Sequence, residues 1–389
     1  MKILLVSLFL PGEKATHAGG RYVFEILSQL ATRHEVTLAT RYEVGQEAQV
    51  EELHPFCRKV HTCSYPAFSH RGPVEKARLV TSYLAFSRFA DRLVRDGGFD
   101  LVQVEWVETA LLIRRHGVPM VLDAHDVITK PAERRLTGAH GLGRLAAGVK
   151  YRLIRSAERR IVRRFDTVLT VSDFDRRYLE KMEPAARIRT VPIPAGLDFA
   201  GRTSTVRQGT ILFLASYRNH RSNVDGALWL AREVFPRVKA DFPEARLILA
   251  GYGPPPELLE LTQIDAAIEV PGFIDDLEGC YREAAVFAAP ILTGGGIIVK
   301  ILDALAGGRP VVTTSFGNEG IGATPGRDLV VEDDPSGFAA ALVRILRNYP
   351  EALALGESGQ RFVEANYSSQ ALLSGLNRVY GEVGRLRNP

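Results

Sequence analysis

The residue types best able to do chemistry gather in a few short stretches of this 389-residue chain. In PILTGGGIIVKILDALAGGRPVVTT (290–314), three consecutive glycines, Gly294, Gly295 and Gly296, follow an apolar run and precede a helical pattern opening at Ile297. Glycine backbone can approach a ligand closely, and the free N–H groups and dipole of a helix start favour an anion, so this segment suits a diphosphate. Lys300, one turn into that helix, can add positive charge, and Asp303 can accept hydrogen bonds from a ribose diol. The same two residues also read as a solvated i, i+3 pair. In the first half, VLDAHDV sets Asp123, His125 and Asp126 just after a strand, where open α/β sheets bind ligands. A lone loop histidine is otherwise structural. Glu105, ending the preceding strand in LVQVEW, is a further candidate, and Gly19 and Gly20 in PGEKATHAGGRYVFE form either a second anion-binding turn or a plain strand-to-helix turn.

The elements that must position these residues alternate short apolar runs with helical patterns, the signature of parallel sheets covered by helices. Strands are expected at 3–9, 35–39, 101–105, 119–122 and 167–171, with helices at 21–33 and about 142–165. VPIPAGLDFAGRTSTVRQGT (191–210), rich in Pro, Gly, Ser and Thr, reads as an interdomain linker. The alternation then restarts: ILFLAS, a helix at 223–239, strands at 246–250, 267–270 and 286–289, a helix at 297–306 and a strand at 310–313. Two α/β units in tandem follow, residues 1–195 and 205–370, with a last helical stretch at 371–389.

Composition sets bounds. A chain of this length exceeds one ordinary core, and 46% hydrophobic with 24% charged residues is that of a globular protein. The three cysteines sit at no disulfide-framework or zinc-ligand spacing, which fits a reducing cytoplasm. The opening MKILLVSLFLPG lacks a signal peptide's cleavage site and reads as a buried strand, and no run reaches the ~20 apolar residues that span a bilayer. The net charge of +4 is modest and indicates no nucleic-acid partner, but basic residues cluster between Lys130 and Arg164. There KYRLIRSAERRIVRRF reads as a core-packed helix using Val149, Leu153, Ala157 and Ile161, or else as a helix attracted to anionic headgroups. GLGRLAAG follows no strand, and the prolines of GYGPPP supply no amides, so neither is a dinucleotide fingerprint.

The 290–314 segment resembles the donor-site signature of glycosyltransferase family four, in the form G-x-G-x-x-x-K-x-x-E-A-x-A-x-G-x-P-V-V. It is matched by Gly294, Gly296, Lys300, Ala304, Ala306, Gly308, Pro310, Val311 and Val312, with Asp303 in place of the usual ribose-binding Glu and Gly295 where the longer form has its first Glu. ILFLASYRNHRSNVDGALWL is similar to the family's diphosphate loop, where Arg218 and Arg221 offer bidentate guanidinium groups and Ala215 replaces a common glycine. VPGFIDDLEGCY resembles the segment that meets the donor base, which puts Phe273 and Ile274 at that contact. Asp275 and Asp276 there read as helix caps rather than metal ligands.

The resemblance implies a GT-B fold, two Rossmann-like domains facing each other across a cleft, and a retaining, metal-independent transfer from a nucleotide diphosphate sugar. It implies that His125, with Asp126, meets the sugar or departing phosphate, and Glu105 is read as an acceptor contact. Similarity to exopolysaccharide enzymes through VQVEW and VLDAHDV favours a glycan or lipid-linked saccharide acceptor, with the enzyme cytoplasmic or peripheral at the inner membrane face. A nucleotide-sugar 2-epimerase or a non-catalytic nucleotide-sugar-binding module remain alternatives.

Overall fold

A computed structural model describes residues 1–389 apart from 14, 16–17, 67–72, 198, 200–205, 219, 294–295 and 386–389. The chain forms two compact units, Met1–Ile193 with Ser369–Pro389, and Pro194–Ser368.

The first unit runs β1 (Lys2–Ser7), α1 (Ala18–Ala31), β2 (Glu35–Glu43), α2 (Glu47–Glu51), β3 (Lys59–Tyr65), α3 (Pro73–Asp96), β4 (Leu101–Glu105), β5 (Met120–Asp123), α4 (Thr129–Thr137), α5 (Gly141–Val162), β6 (Thr167–Thr170), α6 (Asp173–Met182) and β7 (Ile188–Thr190). Its seven strands are all parallel, in the order β3-β2-β1-β4-β5-β6-β7. β1 is apolar on both faces because helices cover both, and α1 turns Val23, Ile26, Leu27 and Leu30 into the core.

The second unit runs β8 (Arg207–Leu214), α7 (Arg221–Trp229), α8 (Phe235–Asp241), β9 (Arg246–Ala250), α9 (Pro256–Leu259), α10 (Leu261–Ile264), β10 (Ile268–Gly272), α11 (Leu277–Glu283), β11 (Ala284–Ala289), α12 (Val299–Ala306), β12 (Val311–Thr313), α13 (Ser315–Glu319), β13 (Val330–Val331), α14 (Pro335–Arg347) and α15 (Tyr349–Asn366). Its six parallel strands are ordered β10-β9-β8-β11-β12-β13. A π-helical turn, Leu230–Val234, joins α7 to α8. Pro236, which has no N–H to give the helix, follows at once, so the wider turn takes up the interrupted ladder. The last helix, α16 (Ser369–Arg385), belongs to the first unit, where Glu382 pairs with Arg189 at 3.0 Å.

In each sheet the order reverses once, between β1 and β4 and between β8 and β11. Such switch points open a crevice at the strand ends.

Several expectations need correction. Arg207–Thr210 is not linker: Arg207 pairs with Ala284 and Thr210 with Arg246. β3, an edge strand of sequence KVHTCSY with no fully buried residue, gave no apolar run, and α3, α6, β7 and β13 were likewise unread. Gly19 and Gly20 lie inside the first turn of α1 rather than before it, and α12 starts at Val299, two residues beyond Ile297. The core-packed reading of α5 holds only for its C-terminal part. Ile161 is buried, but Val149 and Leu153 are 59% and 67% exposed, because the packing face lies on the other side of the helix.

Candidate functional site

At the switch point of the first unit, four elements build a buried polar cluster. β4 delivers Gln103 and Glu105, the end of β5 delivers Asp123 and His125, α1 contributes Tyr22, and α16 contributes Tyr380. His125 Nε2 lies 2.7 Å from Glu105 Oε2, and Gln103 Nε2 donates to Glu105 Oε1 at 2.7 Å. Tyr22 donates to Asp123 Oδ2 at 3.0 Å, the His125 amide donates to Asp123 Oδ1 at 3.3 Å, and the Tyr380 hydroxyl donates to Gln103. Trp106 stacks on His125 with ring centroids 4.1 Å apart, and Tyr22 meets the same ring edge-on at 5.1 Å.

Two backbone positions in this cluster are strained. Trp106 and His125 have φ of 66° and 53°, the only non-glycine residues with positive φ among those described. Such conformations cost about 1–3 kcal/mol each and persist where surrounding contacts over-determine them. Here the Trp106 amide is tied to the Asp123 carbonyl at 2.9 Å, and the two rings lock together.

Burial governs the charges. Desolvation pushes the Glu105 carboxyl up to about 8 and Asp123 up to about 6, while it lowers the His125 imidazole. Glu105 and His125 therefore favour a shared proton over two separate charges. Glu105, Asp123 and His125 are close enough to share a cation, their ligand atoms lying within 4.8 Å of one another. All four carboxylate oxygens, however, already accept hydrogen bonds within the cluster.

This geometry corrects Glu105 as an acceptor contact. It is 0% exposed, and both its oxygens are engaged inside the unit. His125 sits at the cluster's rim at 7% exposure, and Asp126, next along, is exposed. Trp106, Tyr22, Gln103 and Tyr380 went unread. Gln103 and Trp106 stand beside Glu105 in VQVEW, and Tyr22 stands in PGEKATHAGGRYVFE, whereas nothing around Tyr380 pointed to the site.

At the switch point of the second unit, Lys300 projects from the first turn of α12. Its ammonium is held at 3.0 Å by the side-chain oxygen of Asn223 on α7 and lies 5.0 Å from the centre of the Phe213 ring. It has no carboxylate partner among the described residues, and burial lowers its pKa to about 8. The N-cap position of α12, Ile298, offers no side-chain cap, and the Ile301 amide is taken by the Ile298 carbonyl at 2.9 Å. Gly296 takes φ 83°, and an added Cβ on Gly320 would come within 2.3 Å of the Gly296 carbonyl. Gly294 and Gly295 lie outside the described residues.

Other expected donor contacts divide. Arg218 donates to the Tyr252 hydroxyl and lies over that ring at 5.6 Å, with no carboxylate partner among the described residues. Arg221, at the start of α7, is exposed and paired with Glu257 at 2.7 Å and Asp225 at 2.8 Å. Asp303 is buried, and its Oδ1 accepts the Gly196 amide at 2.8 Å, tying the chain that follows the first unit to α12. Phe273 is exposed and meets Tyr252 edge-on at 6.3 Å, while Ile274 packs partly into the core. Asp276 caps α11, accepting the Gly279 amide at 2.9 Å, as a helix-start aspartate should.

Two doubly wound parallel-sheet units, each with polar groups gathered at its switch point, define a GT-B-type α/β protein. Residues 18–196 match the family described as "Glycosyl transferase 4-like domain", and residues 208–348 match "Glycosyl transferases group 1". The chain belongs to the group 1 glycosyltransferases.

It is similar to a phosphatidyl-myo-inositol mannosyltransferase of Mycolicibacterium smegmatis, 28% identical over 68% of this chain and 66% of that one. It spans between 42% and 79% of the length of the curated relatives it matches. In structure it resembles a sucrose-phosphate synthase from Thermosynechococcus elongatus, with TM-score 0.71, 18% identity and 98% of each chain covered. It also resembles Anabaena Alr3699/HepE in complex with UDP, with TM-score 0.69, 11% identity, and 98% of this chain and 100% of that chain covered. At these identities the likeness establishes the fold.

Proposed function

We propose that the protein is a retaining glycosyltransferase that moves a sugar from a nucleotide diphosphate donor to a glycan, a lipid-linked saccharide or a small acceptor. The observation that carries this reading is Lys300: a part-buried ammonium without a carboxylate, beside an uncapped helix start. A cation held in a desolvated place is costly unless an anion completes it, and a diphosphate supplies that charge while meeting the α12 amides. Arg218 adds a second guanidinium. Stabilising the departing diphosphate in this way needs no protein nucleophile, and the cationic work is assigned to these side chains and amides rather than to a metal. The UDP complex of Alr3699/HepE, on the same fold, supports a nucleotide ligand.

His125 is assigned to the sugar or its leaving phosphate, with Glu105 behind it as a positioning residue. A cavity of about 260 Å³ at the strand ends of the first unit, bounded by Phe9, Gly12, Glu43 and Tyr65, offers hydroxyl-binding groups and a ring edge for a saccharide acceptor. The lipid substrate named for the mycobacterial relative supports an acceptor met at the inner membrane face.

Isothermal titration of the whole protein with UDP and with GDP tests the reading. At least one is expected to bind, and Lys300→Ala to weaken it about tenfold or more. Failure of both nucleotides to bind the unaltered protein would overturn the assignment.

A further inference from the structure

α5 has two apolar faces, and only one is used. On the inner face Ile161, Val162 and Glu158 are buried, and Gly148 sits against α4, where an added Cβ would lie 3.8 Å from Leu136 Cδ1. On the outer face Leu145, Val149 and Leu153, spaced i, i+4, i+8, stand 69%, 59% and 67% exposed. At 3.6 residues per turn these three form one ridge, roughly 160° round the helix from the packing face. Side-chain repacking within the unit cannot cover it.

The helix is also longer than its return to the sheet requires. Glu158 accepts the Ile128 and Thr129 amides at 2.9 and 3.1 Å, so α5 has already reached the start of α4 at that point. The stretch from Gly141 to Ala157 runs on beyond it for about 25 Å, and the nine-residue α4 lines only part of that length, on the inner side.

Charge on the outer side has one sign. Lys150, Arg152 and Arg160, which flank the ridge within roughly 100° of its centre, are exposed and have no carboxylate partner among the described residues, whereas Arg144 and Arg155 lie further round towards the packing side and Arg159 and Arg163 go to Glu183. Glu158, the one acid of the helix, faces inward.

We propose that this outer face of α5 docks the protein on an anionic lipid bilayer. Leu145, Val149 and Leu153 enter the boundary between headgroups and acyl chains, and the flanking cations meet lipid phosphates while their stems lie along the apolar layer. The helix lies in the membrane plane; no helix among the described residues is long and apolar enough to cross it. Since α4 begins three residues after Asp126, a docked α4–α5 hairpin holds the His125 loop close to the surface, where a lipid-carried acceptor would be met. The unpaired cations beside the ridge match a surface that is anionic throughout, as a bilayer of acidic lipids is.

Co-sedimentation with vesicles decides it, without donor or acceptor present, so the result is separate from nucleotide binding at Lys300. Wild type should bind vesicles of phosphatidylglycerol and phosphatidylcholine, lose that binding as salt rises, and bind phosphatidylcholine alone far more weakly. The double variants Leu145→Gln/Leu153→Gln and Arg152→Gln/Arg160→Gln should each reduce binding about tenfold or more, at an unchanged melting temperature. Absence of binding to the anionic vesicles, or binding that neither variant lowers, overturns the proposal. So does light scattering that shows a dimer which Leu145→Gln/Leu153→Gln dissociates while vesicle binding is absent; the ridge would then belong to a second copy.

Discussion

Glu105 Oε2 stands 2.7 Å from His125 Nε2, with Trp106, the residue that follows Glu105, stacked on the imidazole. One carboxylate thus fixes the ring's rotation and claims one of its nitrogens, which leaves Nδ1 as the ring nitrogen for a ligand. A histidine held at φ 53° and clamped on its face and edge is pre-organised rather than adaptable.

Replacing Glu105 should separate shape from charge. Glu105→Gln can accept from Gln103 and donate to His125, so stability should change by less than about 1 kcal/mol while kcat falls and the donor KM holds. Glu105→Ala leaves two buried groups without partners, at about 1–3 kcal/mol each, and should cost about 2–6 kcal/mol. Melting curves and steady-state kinetics on both variants check this; equal loss of kcat and stability in both would make the pair merely structural.

The raised Glu105 pKa also predicts a pH dependence. The folded state holds this proton up to about 8, against an ordinary value of 4.5, so the contribution is fully present below about 4.5 and is lost as pH rises through about 8. Relative to Glu105→Gln, the wild type should lose stability between pH 5 and 8, by at most ~1.4 kcal/mol per pH unit. Parallel denaturant titrations of the two proteins across that range measure it, and a constant difference would contradict it.

Lys300→Met should trade function for stability. Because burial lowers the ammonium to about 8, the folded protein without ligand bears the cost of charging it at pH 7. Methionine of similar length should stabilise by about 1–2 kcal/mol, allowing for partial exposure. That gain should shrink as pH rises from about 8 towards 10.5, where the unfolded lysine also loses its proton. Nucleoside diphosphate affinity should fall in the same variant.

Arg218, in the β8–α7 loop, and Arg221, at the start of α7, should behave differently. Arg221→Ala removes a side chain already matched by Glu257 and Asp225 and should leave diphosphate affinity within about twofold. Arg218→Ala should weaken it about fivefold or more, since Arg218 is held by the Tyr252 hydroxyl instead of a carboxylate. Competition binding against one nucleotide ranks them.

Gly251 tests the strand-end geometry of the second unit. It takes φ 139°, and an added Cβ would fall 1.6 Å from the Ala215 carbonyl oxygen. Gly251→Ala should cost more than about 4 kcal/mol and abolish soluble expression, because backbone cannot give way as a flexible side chain can.

The chain's own order of residues determined the two α/β units and the place of the candidate site. Apolar runs such as ILLV and ILFL form strands covered on both faces, while His125 follows the end of β5 and Lys300 lies on the helix after β11. Such signals are legible because strand burial and helix periodicity are local properties of the sequence. Tertiary structure alone decided what each polar residue meets. Arg218 and Arg221 are alike in sequence, but only Arg221 has carboxylates brought to it, one of them from α9, 36 positions away. Glu105 looked like a ligand-facing acid until α1 and α16 closed over it, and α5 looked core-packed until its register put Leu145, Val149 and Leu153 outward. Those outcomes depend on the rotation and spacing of distant elements, which no short window of residues encodes.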